Sequence, residues 1–236
     1  MIRAIIFDMD GVLIDAREWH YEALNSALRL FGYEIGRDEH LATFDGLPTR
    51  RKLTMLSEER GLPRRLHALI NELKQAYTMD LVSLRCRPVF HHRYALAKLK
   101  AAGYRLAVAS NSVRSSVDVM MAKADLARFL DATMSNEDVT RAKPDPEIYL
   151  KTCDRLGVAP DETVVVEDAE YGVQAATDAG AHVLRVEGVD DVTLAAISQF
   201  VSEVEEEKGR LCTSGSRMTA LERAVSRQSA ATNSRA

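Results

Sequence analysis

The sequence predicts an α/β protein, with a Rossmann-like, doubly wound parallel sheet as its core and a small helical cap inserted after the first strand. Three observations predict this fold class. Short apolar runs without polar alternation recur along the chain, which is typical of strands buried on both faces. Segments with helical spacing of apolar residues separate these runs. A long segment behind the first run, residues 16–84, contains no convincing strand.

The predicted strands are four apolar runs, three of which lead directly into polar residues. They cover residues 4–7, 106–109, 163–166 and 181–186. Ligands of open α/β sheets bind beyond the carboxyl ends of the strands. We therefore expect the polar residues after the first three runs to line one crevice.

The predicted helices of the core lie between these strands and are bounded by capping residues. They cover residues 94–102, 113–124, 146–156 and 170–179. Asp145 is a suitable N-cap, and Pro146 suits the first helical position. Gly103, Gly157 and Gly180 follow three of the helices, where glycine commonly ends a helix.

The helical segment after the first strand is the predicted cap. It contains three or four helices, broken near Gly32, Gly46 and Gly61. The predicted boundaries are residues 1–15 and 86–201 for the core, 16–85 for the cap, and 202–236 for a basic, mobile tail. The tail is rich in Ser, Thr, Arg and Ala, and the chain from residue 208 onward has six basic residues and one acidic residue.

Composition and charge narrow the class of function. Hydrophobic residues make up 46% of the chain, and the formal net charge is −4. Residues 1–207 carry 25 basic and 34 acidic residues, which argues against nucleic acid as the main partner. No apolar run is long enough to cross a bilayer, and the N-terminus does not resemble a signal peptide. We expect a cytoplasmic monomer or weak homodimer that binds a small molecule, with no membrane partner.

Four acidic residues and one lysine are the candidate metal-binding and catalytic residues. They are Asp8 and Asp10 after the first strand, Glu167 and Asp168 after a later strand, and Lys143 in the loop before a proline. Their summed charge of −3 would raise the pKa values of the acids and destabilise the fold unless a cation were bound. The acids offer hard oxygen ligands, and none of these motifs contains His or Cys, which favours Mg²⁺ over zinc.

The same strand ends suggest phosphate chemistry. Ser110 and Asn111 lie where a strand passes into a helix, and a helix N-terminus favours anions. Lys143 can stabilise charge on a transferring phosphoryl group. A carboxylate nucleophile such as Asp8 would form an aspartyl phosphate. Asp10, two residues on, could protonate the leaving alcohol and then activate water.

Four motifs of the chain resemble the signatures of the haloacid dehalogenase-like (HAD) phosphatase superfamily, in the branch of capped phosphoglycolate phosphatases and β-phosphoglucomutases. They are Phe7-Asp8-Met9-Asp10-Gly11-Val12, Ser110-Asn111, Ala142-Lys143-Pro144-Asp145-Pro146, and Val166-Glu167-Asp168-Ala169 with Gly172. They occur in the order of the superfamily, and the resemblance covers roughly residues 1–190.

The resemblance implies a role for each matching acid. Asp8 matches the phosphorylated nucleophile, which is also a metal ligand. Asp10 matches the general acid/base, whose backbone carbonyl helps to hold the metal. Asp168 matches a direct metal ligand, and Glu167 matches a residue that assists directly or through water.

The resemblance also implies phosphate-binding and cap residues. Ser110 and Lys143 match the pair that binds phosphate, with Asn111 beside it, and the helical insert matches a small cap that closes over the substrate. His20 matches a position at the base of this cap and is a candidate for substrate binding. A histidine on a helix beside Trp19 could equally be a packing residue.

The predicted reaction is Mg²⁺-dependent hydrolysis of a small sugar or organic-acid phosphate through an aspartyl-phosphate intermediate. A sugar-phosphate mutase of the β-phosphoglucomutase type is the nearest alternative. Such mutases grip the distal phosphate with a cap arginine, where this chain has Thr49 with Arg50 and Arg51 adjacent. Two non-enzymatic alternatives are a regulatory phospho-binding domain and a receiver-like domain, although receivers lack a helical insert after the first strand.

Overall fold

The computed structural model describes residues 1–44 and 47–210, with a parallel sheet at the centre. The strands are β1 (Ala4–Phe7), β2 (Arg105–Ala109), β3 (Ala132–Met134), β4 (Thr163–Glu167) and β5 (His182–Arg185). Their order across the sheet is β3-β2-β1-β4-β5, so the direction of winding reverses at β1. The prediction of a doubly wound parallel sheet is confirmed.

The register of the central strands brings their carboxyl ends to one level. Phe7 is the partner of Val108 in β2 and of Val166 in β4. Asp8 and Glu167 each follow one of these paired positions, so they leave the sheet side by side. The four predicted strands agree with the observed ones to within one residue at each end, whereas β3 was not predicted.

The helices divide between the core and the segment inserted after β1. The inserted helices are α1 (Arg17–Arg29), α2 (Arg37–Glu39), which a π-helical turn (His40–Phe44) continues, α3 (Thr49–Arg60) and α4 (His67–Arg85). The core helices are α5 (Phe90–Ala101), α6 (Arg114–Lys123), α7 (Glu147–Leu156), α8 (Glu170–Asp178) and α9 (194–210). Gly61 ends α3 with a φ of +70°, as predicted. The predicted break near Gly46 lies outside the described residues.

Buried apolar side chains form three clusters. Two of them separate along β1, where Ile5 and Phe7 join one cluster and Ala4 and Ile6 join the other, as alternation in a strand covered on both faces requires. The third cluster lies entirely within residues 24–77 of the inserted segment. The inserted helices therefore have a small hydrophobic core of their own.

Helix α9 extends beyond residue 202, where the sequence predicts that the tail begins. Residues 202–210 continue α9, and Val201 and Val204 are buried in the cluster that contains Phe7. The backbone N–H of Ile2 donates to Glu205 Oε1 at 2.9 Å, which ties this helix to the start of the chain. The rest of the predicted tail, residues 211–236, lies outside the described residues. Among the described helices, none is both long and apolar enough to span a membrane.

Candidate active site

A cavity of about 830 Å³ lies between the carboxyl edge of the sheet and the inserted helices. Most of the residues predicted from the sequence line it: Asp8, Asp10, His20, Ser110, Asn111 and Asp168. The other two, Lys143 and Glu167, are buried directly behind Asp8. The fold thus gathers all the predicted site residues around one crevice.

Lys143 lies between two buried carboxylates. Its Nζ donates to Asp8 Oδ1 at 2.7 Å and to Glu167 Oε1 at 2.6 Å. Burial disfavours the ammonium, but the two carboxylates outweigh it and raise the pKa of Lys143. Burial, assisted by the charges of Glu167 and Asp10, raises the pKa of Asp8 well above its ordinary value although Lys143 opposes the shift. The lysine is therefore a fixed positive charge against the candidate nucleophile.

The Glu167 carboxylate is fully engaged by the protein. Oε1 also accepts from Tyr149 Oη at 2.7 Å, and Oε2 accepts from the backbone N–H groups of Asp168 and Ala169. Gly172 makes room for it, because a Cβ there would lie 1.9 Å from Glu167 Oε1. Four donors on two oxygens fix this side chain beneath Asp8 and Asp168.

Asp168 presents one oxygen to the protein and leaves the other without a hydrogen bond. Arg17 Nη2 donates to Oδ2, whereas Oδ1 is buried and has no hydrogen-bond partner among the described residues. Burial raises the pKa of Asp168, and the guanidinium of Arg17 opposes the shift. Gly11, with a φ of +92°, packs so closely that a Cβ would lie 1.9 Å from Oδ2. The turn that follows β1 thus packs directly against Asp168 and leaves no room for a side chain at Gly11.

Asp10 contacts both the core and the inserted helices. Ser112 Oγ donates to its Oδ2 at 2.8 Å, and His20 Nε2 lies 3.2 Å from its Oδ1. Lys74 Nζ is 3.1 Å from His20 Nδ1, so a neutral His20 with its proton on Nε2 suits both neighbours. Burial acts to raise the pKa of Asp10, but His20, Ser112 and Lys74 outweigh it and lower the pKa. The carboxylate therefore rests in its ionised form.

The two residues of the second predicted motif, Ser110 and Asn111, make different contacts. Ser110 is buried, and its Oγ accepts from the backbone N–H of Ser112 at 3.0 Å. The Asn111 amide pairs with the backbone of Lys143, where Oδ1 accepts from N at 3.1 Å and Nδ2 donates to O at 3.4 Å. The structure thus shows Asn111 holding the loop that carries Lys143, in addition to lining the cavity.

Four residues of the site were not among the catalytic, phosphate-binding and metal-binding residues predicted from the sequence: Arg17, Lys74, Ser112 and Tyr149. Ser112 follows the predicted pair by one residue, so the short turn after β2 was a usable signal. Lys74 and Tyr149 lie within helices and carry no motif that distinguishes them from surface or core residues. Only tertiary structure brings them to the crevice.

The donor set fits a hard divalent cation. Asp8, Glu167 and Asp168 each offer a carboxylate oxygen, and these oxygens lie within 4.8 Å of one another. Asp168 Oδ1, buried without a hydrogen bond, is an oxygen available for coordination. Oxygen ligands from carboxylates are those that Mg²⁺ prefers.

Comparisons with known proteins agree on one family. Residues 5–186 match the family model described as haloacid dehalogenase-like hydrolase. A phosphorylated carbohydrates phosphatase from Thermotoga maritima is 33% identical over 191 residues, which cover 80% of this chain and 85% of the relative. Fructose-1-phosphate phosphatase YqaB from Escherichia coli is 30% identical over 177 residues, covering 75% and 92%. The crystal structure of CbbY from Rhodobacter sphaeroides in complex with phosphate is similar with a TM-score of 0.72 and 26% identity, covering 80% and 87%.

Proposed function

Because this chain belongs to the haloacid dehalogenase-like hydrolase family, we propose that it hydrolyses a small phosphomonoester, with Asp8 as nucleophile and Mg²⁺ as cofactor. The observation that carries the proposal is the placement of two chemically different carboxylates at one crevice. Asp8 is buried against Lys143, whereas Asp10 is held by Ser112 and His20. Phosphatases among the relatives support this reaction class.

Asp8 would carry the phosphoryl group between the ester and water. One Asp8 oxygen forms a bond to phosphorus while the bond from phosphorus to the ester oxygen breaks. Asp10 donates a proton to the departing alkoxide, then takes a proton from the water whose oxygen attacks phosphorus. The bond from phosphorus to Asp8 breaks in this second step, which frees the carboxylate and releases inorganic phosphate. A phosphate bound beside Asp10 adds negative charge, which favours the protonated form that the first step needs. Lys143 and Ser110 stabilise the phosphoryl oxygens.

Mg²⁺ would be held by Asp8, Asp168 and the backbone carbonyl of Asp10. When bound, it supplies positive charge that offsets the repulsion between the substrate phosphate and the acidic crevice. Glu167 already accepts from four protein donors. We therefore infer that Glu167 orients Lys143 and Asp168, and that it would support the metal without being one of its direct ligands.

The substrate would be a small sugar phosphate or organic-acid phosphate that binds beneath a cap formed by residues 16–85. The cavity of about 830 Å³ has the size of a small-molecule site. The named relatives act on phosphorylated carbohydrates and on fructose 1-phosphate, which supports a metabolite substrate for this chain. Closure of the cap would exclude bulk water while the phosphoryl group is transferred to Asp8.

Hydrolysis is favoured over the mutase alternative. A mutase must hold a second phosphate while the first is transferred, and this chain has Thr49 at the position where the resemblance predicts an arginine. Both relatives named above are phosphatases. Release of inorganic phosphate without an isomeric sugar phosphate is the expected product pattern, whereas accumulation of an isomer would favour the mutase.

The substitution Asp8→Asn tests the proposed nucleophile. It should abolish turnover of p-nitrophenyl phosphate in Mg²⁺, by about a thousandfold or more, because an amide cannot form the phosphoenzyme. The matched control is Asp118→Asn on the exposed face of α6, which should keep full activity. Folding is checked by circular dichroism. Appreciable turnover by a folded Asp8→Asn protein would contradict the proposal. A screen of metabolite phosphates with the intact protein would still identify a substrate, but the reaction would use a nucleophile other than Asp8.

A further inference from the structure

Arg17 joins the inserted segment to the candidate metal site. It is the first residue of α1, and its guanidinium Nη2 donates to Asp168 Oδ2. The Arg17 side chain is 43% exposed, whereas the Asp168 side chain is only 1% exposed. A surface cation therefore covers one oxygen of a buried carboxylate, while the other oxygen, Oδ1, has no hydrogen-bond partner among the described residues.

The three buried carboxylates of Asp8, Glu167 and Asp168 each contact a basic side chain. Lys143 lies 2.7 Å from Asp8 and 2.6 Å from Glu167, and no described contact joins Lys143 to Asp168. Among the described residues, Arg17 is the cation that forms an ion pair with Asp168. A buried carboxylate without a cation is strongly unfavourable, so this contact stabilises Asp168 when no metal is bound.

The two members of this ion pair differ in freedom to move. Asp168 is fixed, because Gly11 packs against Oδ2 and Asp168 follows directly from β4. Arg17 is at the surface, and its long side chain can place the guanidinium in water by rotation about its own bonds. If a second cation arrives at Asp168, the arginine is the partner that can leave.

We propose that Arg17 is a displaceable counter-charge, which stabilises the metal-free site and competes with Mg²⁺ for Asp168. The inference rests on the proposed function, since it takes Asp168 as a metal ligand. A divalent cation on Asp168 would repel the nearby guanidinium, so metal binding drives Arg17 toward solvent. Arg17 thereby weakens the affinity for Mg²⁺, and it links the first turn of α1 to the metal state of the core.

Substitution of Arg17 by Gln, which removes the charge and keeps a polar side chain, tests this competition. We would measure the unfolding temperature of the full chain against MgCl₂ concentration, without substrate and after removal of metal by EDTA. Arg17→Gln should unfold at a lower temperature than wild type in EDTA, and should bind Mg²⁺ about tenfold more tightly, which corresponds to about 1.4 kcal/mol. The matched control is Arg37→Gln, which removes an arginine paired with Glu18 on the same inserted segment and should leave the Mg²⁺ affinity unchanged.

The result that would overturn the inference is an Arg17→Gln protein with Mg²⁺ affinity equal to or weaker than that of wild type. If Arg17→Gln does not fold, Arg17→Lys is the alternative variant, because it keeps the charge but loses the forked geometry. Arg17→Lys should bind Mg²⁺ more tightly than wild type, by a factor of less than about ten. Weaker binding by Arg17→Lys would also overturn it.

Failure of the metal site itself gives a different pattern. Asp168→Asn should remove most of the Mg²⁺-dependent rise in unfolding temperature. If wild type shows no such rise, or if Asp168→Asn retains it, the proposed metal site is wrong. If wild type shows the rise and Arg17→Gln does not bind Mg²⁺ more tightly than wild type, only the role proposed for Arg17 is wrong.

Discussion

Lys143 is the residue on which the electrostatics of the buried site depend. Its ammonium is completely enclosed and contacts both Asp8 and Glu167. Such an arrangement is expensive to break, since removal of one partner leaves uncompensated charge in a medium that solvates it poorly. The same charge is positioned to stabilise phosphoryl oxygens. Structural and catalytic roles therefore coincide in this residue.

Replacement of Lys143 by Met should reveal both roles. The side chain keeps a similar length but leaves two buried carboxylates without their cation, so we expect a loss of about 3–5 kcal/mol in the free energy of unfolding. Turnover should fall by about a hundredfold or more. Urea denaturation and steady-state kinetics measure the two effects. The control is Lys151→Met on the exposed side of α7, and a stable Lys143→Met protein would contradict the pairing described here.

Lys74 is a buried cation of a different kind. Burial lowers its pKa from 10.5 to about 8, although Asp10 partly opposes the shift. Between these two pH values the unfolded chain holds a proton on Lys74 that the folded protein has released. The contribution of Lys74 to the free energy of unfolding should therefore rise with pH across this window. Lys74 should stabilise the folded protein least below pH 8.

Comparison with Lys74→Met isolates this effect. Relative to the variant, wild type should gain up to about 3 kcal/mol between pH 7.5 and 10.5, the free energy that corresponds to the shift in pKa. Chemical denaturation at a series of pH values measures the difference. A difference in stability that is independent of pH would show that Lys74 is not neutralised in the folded protein.

Most of the site residues that were predicted from the sequence follow strands. Asp8, Ser110 and Glu167 stand at strand ends, and parallel strands bring their carboxyl ends together. Arg17 and Lys74 could not be predicted in the same way, because helix α1 places Arg17 and the packing of α4 places Lys74. Their positions depend on how the inserted helices sit above the sheet, which no local pattern encodes.

At the scale of elements, the turn between β4 and α8 is built around a carboxylate. Glu167 ends the strand, and its Oε2 accepts from the first two N–H groups that follow. Gly172 in α8 lies against the other side of this carboxylate, where a Cβ would overlap Oε1. The glycine is thus required by close approach, since its φ is not in the left-handed region.

Gly172→Ala tests this packing. The added methyl group must displace Glu167, and the shift should disturb its contacts with Lys143 and Tyr149. We expect a loss of about 1–3 kcal/mol in stability together with reduced turnover. Gly188→Ala is the control, because among the described residues no atom outside the chain neighbours lies within 4 Å of a Cβ there. Equal behaviour of the two variants in thermal unfolding would contradict the packing argument.

Two elements show where prediction from the sequence fails. Strand β3 has three residues, Ala-Thr-Met, so its apolar run is too short to be recognised, and it lies at the edge of the sheet that the described residues form. The end of α9 contains several glutamates, and its charge hides the buried spacing of Ile197, Val201 and Val204. In both elements the burial comes from neighbours that are distant in sequence.

At the scale of the whole molecule, the inserted helices have a hydrophobic cluster that is separate from the two clusters around the sheet. Residues of the separate cluster include Leu28, Phe44 and Leu56. The two parts contact each other at the crevice, as in the pairs of His20 with Asp10 and Arg17 with Asp168, and Val82 of α4 also packs in a cluster around the sheet. Because most buried apolar side chains of the inserted helices lie in their own cluster, we infer that the cap can loosen or move while the sheet remains folded.

Leu56→Ala in α3 tests this independence. Its side chain is fully buried in the cap cluster, so truncation should destabilise the cap by about 2–5 kcal/mol. Amide hydrogen exchange should accelerate in α1, α3 and α4, while β1, β2 and β4 keep their protection. Leu69→Ala, at an exposed position on α4, is the control.

The activity of Leu56→Ala should fall by different amounts with two kinds of substrate. Hydrolysis of p-nitrophenyl phosphate depends mainly on Asp8 and Lys143 in the core, so it should fall less than hydrolysis of a metabolite phosphate that the cap must enclose. Parallel acceleration of exchange in the sheet, or an equal loss with both substrates, would show that cap and core form one cooperative unit. In that case closure could not proceed by movement of the cap alone, and the crevice would have to admit substrate through smaller side-chain motions.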